Sequence, residues 1–440
     1  MRSHEQIVIR NALQGVYDVQ KLRIASGQRN LAQFLAKLDL PPTPPPLPET
    51  ATKEEKANRR KLIKEREEKI NAFLEKRGIQ AIESDDDYTE VEDKKKDHKK
   101  PTDFLKVILK EYKGITDWVT MENASIKRAL EQDQLKSIIS NQSEMEILAA
   151  YEKLKESEEL LVKPVKRAVE EHPVWKNFLS DVRGVGPLMA GVLLSEFDIQ
   201  DTRTEVSKDF ALPSDYDGLN YVEAKTEEDG TVKYYLIKPR TVSSFWAYAG
   251  LDTTVVYVLD EEGNPILDEN GVPLTRREGT GRKKEHLIKV TYINKKGEEK
   301  VRDSLTYNAF LKTKLLGVLG PGFLKAVEPE KDEDGEFIRN EEGKKISKPN
   351  YYAQIYFDYK NRLNNNPEHD GKTNGHKHNM AIRYMVKYFV QDFFIAWRLV
   401  EDLSIQKPYH EAKLGMKPHS KTSPALISLL RERAPHLLVA

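Results

Sequence analysis

The sequence predicts a mostly helical α+β protein, with long N-terminal helices, a body containing a helix-hairpin-helix module, and inserted β-hairpins. Three observations carry this. Apolar residues recur at helical spacing through most of the first 170 residues. The segment "RGVG" at Arg183–Gly186 separates two short apolar stretches. From about residue 220, apolar and polar residues alternate between Gly-containing turn signals.

Residues 1–40 place Ile9, Leu13, Val16 and Tyr17, then Leu31, Phe34, Leu35 and Leu38, on helical faces, as one helix or two joined near Gly27. The helix must stop at "LPPTPPPLPET", because proline lacks the amide proton a helix needs, and an extended spacer is expected there. In the remainder of the 41–100 linker, "KEEKANRRKLIKEREEKINAFLEKRG" joins strong helix formers with i,i+4 opposite charges and predicts a helix. The run "ESDDDYTEVEDKKKDHKKP" that follows has too little apolar surface to fold and is expected to be disordered. Residues 101–172 return to helix, with Phe104, Val107, Ile108 and Leu109 at one end and "EMEILAAYEKLKESEELL" at the other. No strand carrying a carboxylate is expected in this first part of the chain.

A core segment, 173–252, holds the glycine turn, and 253–348 carries most of the hairpins together with a basic loop. Hairpin tips are expected at Asp229-Gly230, Glu262-Gly263, Asn270-Gly271, Lys296-Gly297 and Glu342-Gly343. The last part, 349–440, is again helical, above all in "HNMAIRYMVKYFVQDFFIAWRLVEDL". No internal repeat of fixed period is evident.

Lys plus Arg number 71 and Asp plus Glu number 71, so net charge does not announce a nucleic-acid partner and any basic footprint has to be local. One candidate window is Thr275–Arg302, which reads either as a solvated face or as a phosphate-binding surface. The chain has no cysteine, which excludes a disulfide framework, a thiolate zinc site and a cysteine nucleophile. A reducing, cytoplasmic setting is expected. No signal-peptide core opens the sequence and no run of about 18 apolar residues occurs, so no membrane partner is expected.

Pro173–Val182 puts proline where a first helical turn accepts it and sets Val174, Phe178 and Val182 at i, i+4 and i+8. Pro187–Phe197 repeats the arrangement on the other side of "RGVG". In a helix-hairpin-helix module such glycines let the backbone approach a phosphate, and the amides opening the second helix bind it. Arg183, Gly184, Val185 and Gly186 are therefore candidate DNA contacts. A tight turn between helices, packing small residues, fits the same pattern.

The order "VRGVGPLMAGVLLSEFDI", "TVSSFWAYAGLD", a basic Gly-containing stretch and a helical tail resembles the C-terminal transposase domain of the DEDD-type insertion-sequence transposases, the one-ten family. Phe245, Ala247, Tyr248, Ala249, Gly250 and Leu251 match that family's segment after the helix-hairpin-helix, and the resemblance covers about Val174 to Asp252, extending loosely to Leu403. It implies DNA binding. It also implies an N-terminal RuvC-like nuclease with four metal-binding carboxylates, where this chain has helices and a proline-rich linker instead. The family's serine nucleophile lies in a basic glycine-rich loop, matched here by "REGTGRKK", which makes Thr280 the candidate catalytic residue and Arg282, Lys283 and Lys284 candidate DNA contacts.

On the C-terminal helix Arg383, Lys387, Gln391 and Arg398 form a narrow polar stripe. Arg383 and Lys387 are read either as further DNA contacts or as snorkelling side chains paired with acids such as Asp392 or Glu401. His369, His376 and His378 in "NNNPEHDGKTNGHKHN" lack an obvious carboxylate partner, so no metal site is assigned. No cofactor is expected; only a nuclease activity would call for Mg2+. The partners expected are DNA or RNA, with a homo-oligomer left open. The function expected is DNA binding by a transposase-like domain without its own nuclease. Its rivals are an active recombinase using a hydroxyl such as Thr280 with a partner, and an interaction scaffold of a mobile element or phage.

Overall fold

The computed structural model describes residues 4–38, 40–41, 43–44, 47, 51–84, 102–122, 138–210, 221–226, 230–260, 262–330, 332, 336–340, 345–405 and 422–438. The architecture is mixed helix and small antiparallel sheets, the α+β class that the sequence predicts. The chain divides into two compact units, Gln14–Lys163 and Met1–Leu13 with Pro164–Ala440.

The N-terminal helices are α1 (His4–Leu35), α2 (Lys53–Lys76), α3 (Phe104–Glu122) and α4 (Gln142–Glu171). Gly27 does not interrupt α1, which is continuous. At α2 a capping box forms, in which the Thr52 side chain accepts from the Glu55 amide while the Glu55 carboxylate accepts from the Thr52 amide. The core of the Gln14–Lys163 unit is Phe34, Ile70, Leu74, Phe104, Val107 and Ile108, joined by Ile138, Ile139, Met145 and Leu148. Lys37 closes one edge of it, pairing with Glu144 at 2.6 Å and donating to the Ile138 carbonyl. Between residues 4 and 171 the described chain holds these helices, a short 3-10 turn after α1 and one isolated bridge, Glu83 to Thr102, with no sheet. The described positions of the proline-rich spacer have neither helix nor strand, and nearly all of the charged run from 83 to 101 lies outside the described residues.

The other unit is built around its longest C-terminal helix. Its elements are α5 (Pro173–Asn177), α6 (Pro187–Glu196), β1 (Thr202–Val206), β2 (Tyr221–Thr226), β3 (Val232–Lys238), α7 (Val242–Tyr248), β4 (Thr253–Tyr257), β5 (Thr275–Gly279), β6 (Leu287–Ile293), β7 (Glu299–Leu305), α8 (Ala309–Lys314), α9 (Gly320–Lys325), β8 (Val327–Pro329), β9 (Ser347–Pro349), α10 (Tyr351–Asn364), α11 (Asn374–Val400) and α12 (Pro424–Arg433). A single π turn, Leu315–Leu319, joins α8 to α9 into one helical run. Met385, Val386, Phe389, Val390, Phe393, Phe394 and Trp397 of α11 are all buried, and α5, α7, α10 and α12 pack around them. The apolar sequence of α6 has its explanation here, since every residue from Met189 to Glu196 is buried. Phe197, just past α6, stacks on Phe245 of α7 at 4.3 Å and so ties the glycine turn to the centre.

The strands decorate this helical body. β1 and β2 flank β3 in an antiparallel sheet, and β4–β5, β6–β7 and β8–β9 form two-stranded ribbons. Positive φ at Gly230, Gly263, Gly271 and Gly297 marks four of the expected tips; the fifth, Glu342-Gly343, lies outside the described residues, as does Asp229.

Two of these insertions share a plan that corrects the reading of no fixed-period repeat. Between β4 and β5, Val258, Ile266 and Leu274 close a ring of backbone bonds, Val258 to Leu274, Leu274 to Ile266 and Ile266 to Val258. Between β8 and β9, Glu330, Ile338 and Ile346 do the same. The period is eight residues. In three of the four eight-residue units an Asp opens the turn, Asp260 and Asp268 accepting from amides two and four residues on and Asp332 from the Glu336 amide, and the fourth has Asn340 at that position. Two short repeats, separated by the helical run, were too brief to stand out as a pattern in the sequence.

Candidate nucleic-acid interface

The glycine turn is a tight connection between a 3-10 turn, Leu179–Asp181, and α6. Gly184 has φ +97°, which an L side chain adopts only at a cost, and a Cβ there would press on the buried Phe323 ring and the Gly322 backbone of α9. Gly186 differs. It is the extended N-cap of α6, with open space where a Cβ would sit and no side-chain cap bond. Val185 is buried and its amide donates to the Val182 carbonyl, while Arg183, Gly184 and Gly186 are exposed. One side of the hairpin thus rests on α9 and the other faces outward. Arg183 makes no ion pair among the described residues.

The basic loop follows β5. Thr280 is nearly buried; its amide and its hydroxyl both donate to the Asp252 carbonyl, the latter at 2.6 Å. The Gly281 amide donates to Nδ1 of the buried His286 at 2.9 Å, which leaves the proton of that ring on Nε2, 3.6 Å from Glu278. Lys283 pairs with Glu278 at 2.7 Å, and that bond, with Arg276 nearby, holds the Glu278 carboxyl below its ordinary range. Arg282 and Lys284 are exposed and carry no ion pair among the described residues.

The stripe on α11 turns inward. Arg383 donates to the carbonyls of Gly250 and Asp252, both at 2.7 Å, and to Leu251 at 3.3 Å, so the guanidinium clamps the "AGLD" turn that follows α7. Burial lowers its pKa from the usual arginine value, with Asp252 and Tyr307 opposing. The Lys387 ammonium lies 4.2 Å over the Trp246 ring, and the indole N–H donates to the Lys387 carbonyl. Gln391 is half-buried on the same side. Arg398 is fully buried and pairs with Asp201 at 2.7 Å. The acids weighed as partners are engaged elsewhere, Asp392 with Tyr352 and Ser423 and Glu401 with the Trp397 indole.

Lys312 and Tyr307, in "TYNAFLKTK", join these residues without a signal in the sequence. Lys312 of α8 donates to the Thr280 carbonyl at 2.5 Å and sits 4.3 Å over the Tyr307 ring. A cleft of ≈ 350 Å³ opens beside them, bounded by Gly281, Arg282 and Thr313 as well. A lysine in a Lys-rich helix start carries no signal of this kind; the loop brings the partners to it.

The histidines are separate. His376 and His378 lie in the first turns of α11, capped by Thr373, with His378 Nδ1 2.6 Å from the Tyr356 hydroxyl. His369 Nδ1 lies 2.8 Å from Lys372. Among the described residues, no three His, Asp or Glu side chains group as metal ligands. No described helix is long and apolar enough to cross a membrane. No family model, curated protein or solved structure matches this chain.

Proposed function

We propose that this chain is a nucleic-acid-binding protein that grips duplex DNA through its glycine hairpin and its basic loop, as the C-terminal domain of a DEDD-type transposase would. One observation carries the reading. Gly184 rests on Gly322 at one end of the helical run 309–325, while Lys312, near the other end, holds the Thr280 carbonyl of the basic loop. Ten residues, five of them in the π turn, separate the two anchors by at most roughly 15 Å, within the reach of a few successive phosphates on one strand. Arg183, Arg282 and Lys284 project from these two anchored elements without carboxylate partners among the described residues. In a protein whose charges cancel overall, such unpaired cations are suited to phosphates, which position DNA without reading its sequence.

Within this reading Thr280 anchors the loop, its hydroxyl already donating to Asp252. Arg383 and Lys387 hold the turn and the helix behind it. A cytoplasmic setting, where nucleic acid is accessible, is part of the proposal. Fluorescence anisotropy with a labelled duplex tests it: Arg183→Ala with Lys284→Ala weakens binding by at least about tenfold, and Lys153→Ala with Lys155→Ala, exposed positions of α4, leaves it unchanged. Equal binding by both double variants refutes the reading.

A further inference from the structure

The cleft beside Lys312 has a chemistry of its own. Arg282 and Lys312 line it, the Arg383 guanidinium acts on Lys312 from α11, and no carboxylate is among its described lining residues. Its other walls are less polar, with Ala309, Leu316 and the Tyr307 ring. Two carboxylates of the flanking segments act on other cations. Glu278 pairs with Arg276 and Lys283, and Asp252 acts on Arg383 and Lys387.

Lys312 registers this imbalance. Its ammonium is pushed down to about 8, first by burial and then by repulsion from Arg383 and Arg282. Of its three protons one goes to the Thr280 carbonyl, and the ammonium faces the Tyr307 ring on another side. A further N–H is left for an acceptor in the cleft. Converging cations that weaken one another, beside a space that no described acid lines, make a site whose charge is completed by a bound anion.

We propose that this cleft binds one phosphate ester, its phosphate held by Lys312 and Arg282 and its less polar part against Tyr307, Ala309 and Leu316. The volume suits a single nucleotide, near the lower end of the range for small-molecule sites. The inference goes beyond the duplex-binding reading, because a free nucleotide satisfies it as well as the phosphorylated end of a strand.

Calorimetry on the full chain tests it with three probes: adenosine monophosphate, sulfate, and single strands with and without a 5′-phosphate. Adenosine monophosphate binds the wild type at pH 7, binds Lys312→Gln at least about tenfold more weakly, and binds Arg183→Ala as it binds the wild type. Sulfate keeps its charge across the range, so its affinity reports the protein: it falls about tenfold from pH 7 to pH 9 as Lys312 loses its proton. In Lys312→Arg, which stays charged, that fall disappears. Should Lys312→Gln fail to fold, the pH series on Lys312→Arg decides alone. Adenosine monophosphate binding equally to wild type and Lys312→Gln, or a sulfate affinity that falls with pH in Lys312→Arg as it does in the wild type, overturns the proposal. A 5′-phosphate that tightens single-strand binding identifies the source as a nucleic-acid end; tight adenosine monophosphate with no such gain identifies a free ester. Duplex binding indifferent to Arg183→Ala with Lys284→Ala defeats the duplex reading and leaves this one standing.

Discussion

Gly184 and Gly322 meet backbone to backbone, each filling the space that a Cβ on the other would need. The hairpin therefore owes its position to packing on α9 as much as to the freedom of glycine. The two glycines of "RGVG" are consequently not equivalent. Gly184→Ala, forced to a positive φ and into Phe323, costs roughly 2 kcal/mol or more, whereas Gly186→Ala, extended and in open space, costs less than about 1 kcal/mol. Urea unfolding of the two variants gives the comparison, and similar midpoints would show that the contact with Gly322 does not fix the turn.

Arg398 is a structural residue. Fully buried, it donates to Asp201, to the Ile199 carbonyl and to the Ser404 carbonyl, linking the end of α11 to the chain just before β1. Arg398→Ala leaves these acceptors short of a donor and destabilises the protein by about 3–5 kcal/mol. Because the pair is shielded, the loss should be nearly the same at low and high salt, as denaturant titrations in each can check.

Asp392 makes stability depend on pH. Burial raises its carboxyl to about 6, against bonds from Tyr352 and Ser423 that favour the charged form. The folded state therefore holds this proton more tightly than the unfolded chain, whose value is near 3.8. The stabilisation is complete below about pH 4 and is lost as pH rises through 6. Asp392→Asn keeps an acceptor for both donors and carries no charge, so it unfolds at higher urea than the wild type at pH 8 and flattens the profile between pH 4 and 7. A wild-type profile already flat across that window would exclude an ionising Asp392.

How far the sequence reaches depends on whether a feature is local. The helices of the first 170 residues and the tips at Gly263, Gly271 and Gly297 follow from periodicity and turn chemistry, which act over a few residues. The glycine turn was legible for the same reason. The roles of Arg383 and Lys387 were not, because a polar stripe on an apolar helix looks the same whether it meets phosphates or the carbonyls of a turn 131 to 133 residues away. Lys312 became visible only when the loop at Thr280 folded over it. Long-range packing gives the stripe partners, a turn's carbonyls and an indole ring, that neither reading of the sequence named.

In the proposed interface Arg183, Arg282 and Lys284 meet phosphates of one duplex. The measurement that tests it most directly is the salt dependence of duplex affinity for the wild type and for the triple variant Arg183→Ala, Arg282→Ala, Lys284→Ala. Three lost contacts lower the slope of log affinity against log salt by about 3, with little change among duplex sequences. A triple variant that binds with the wild-type slope would show that these three side chains do not meet the duplex.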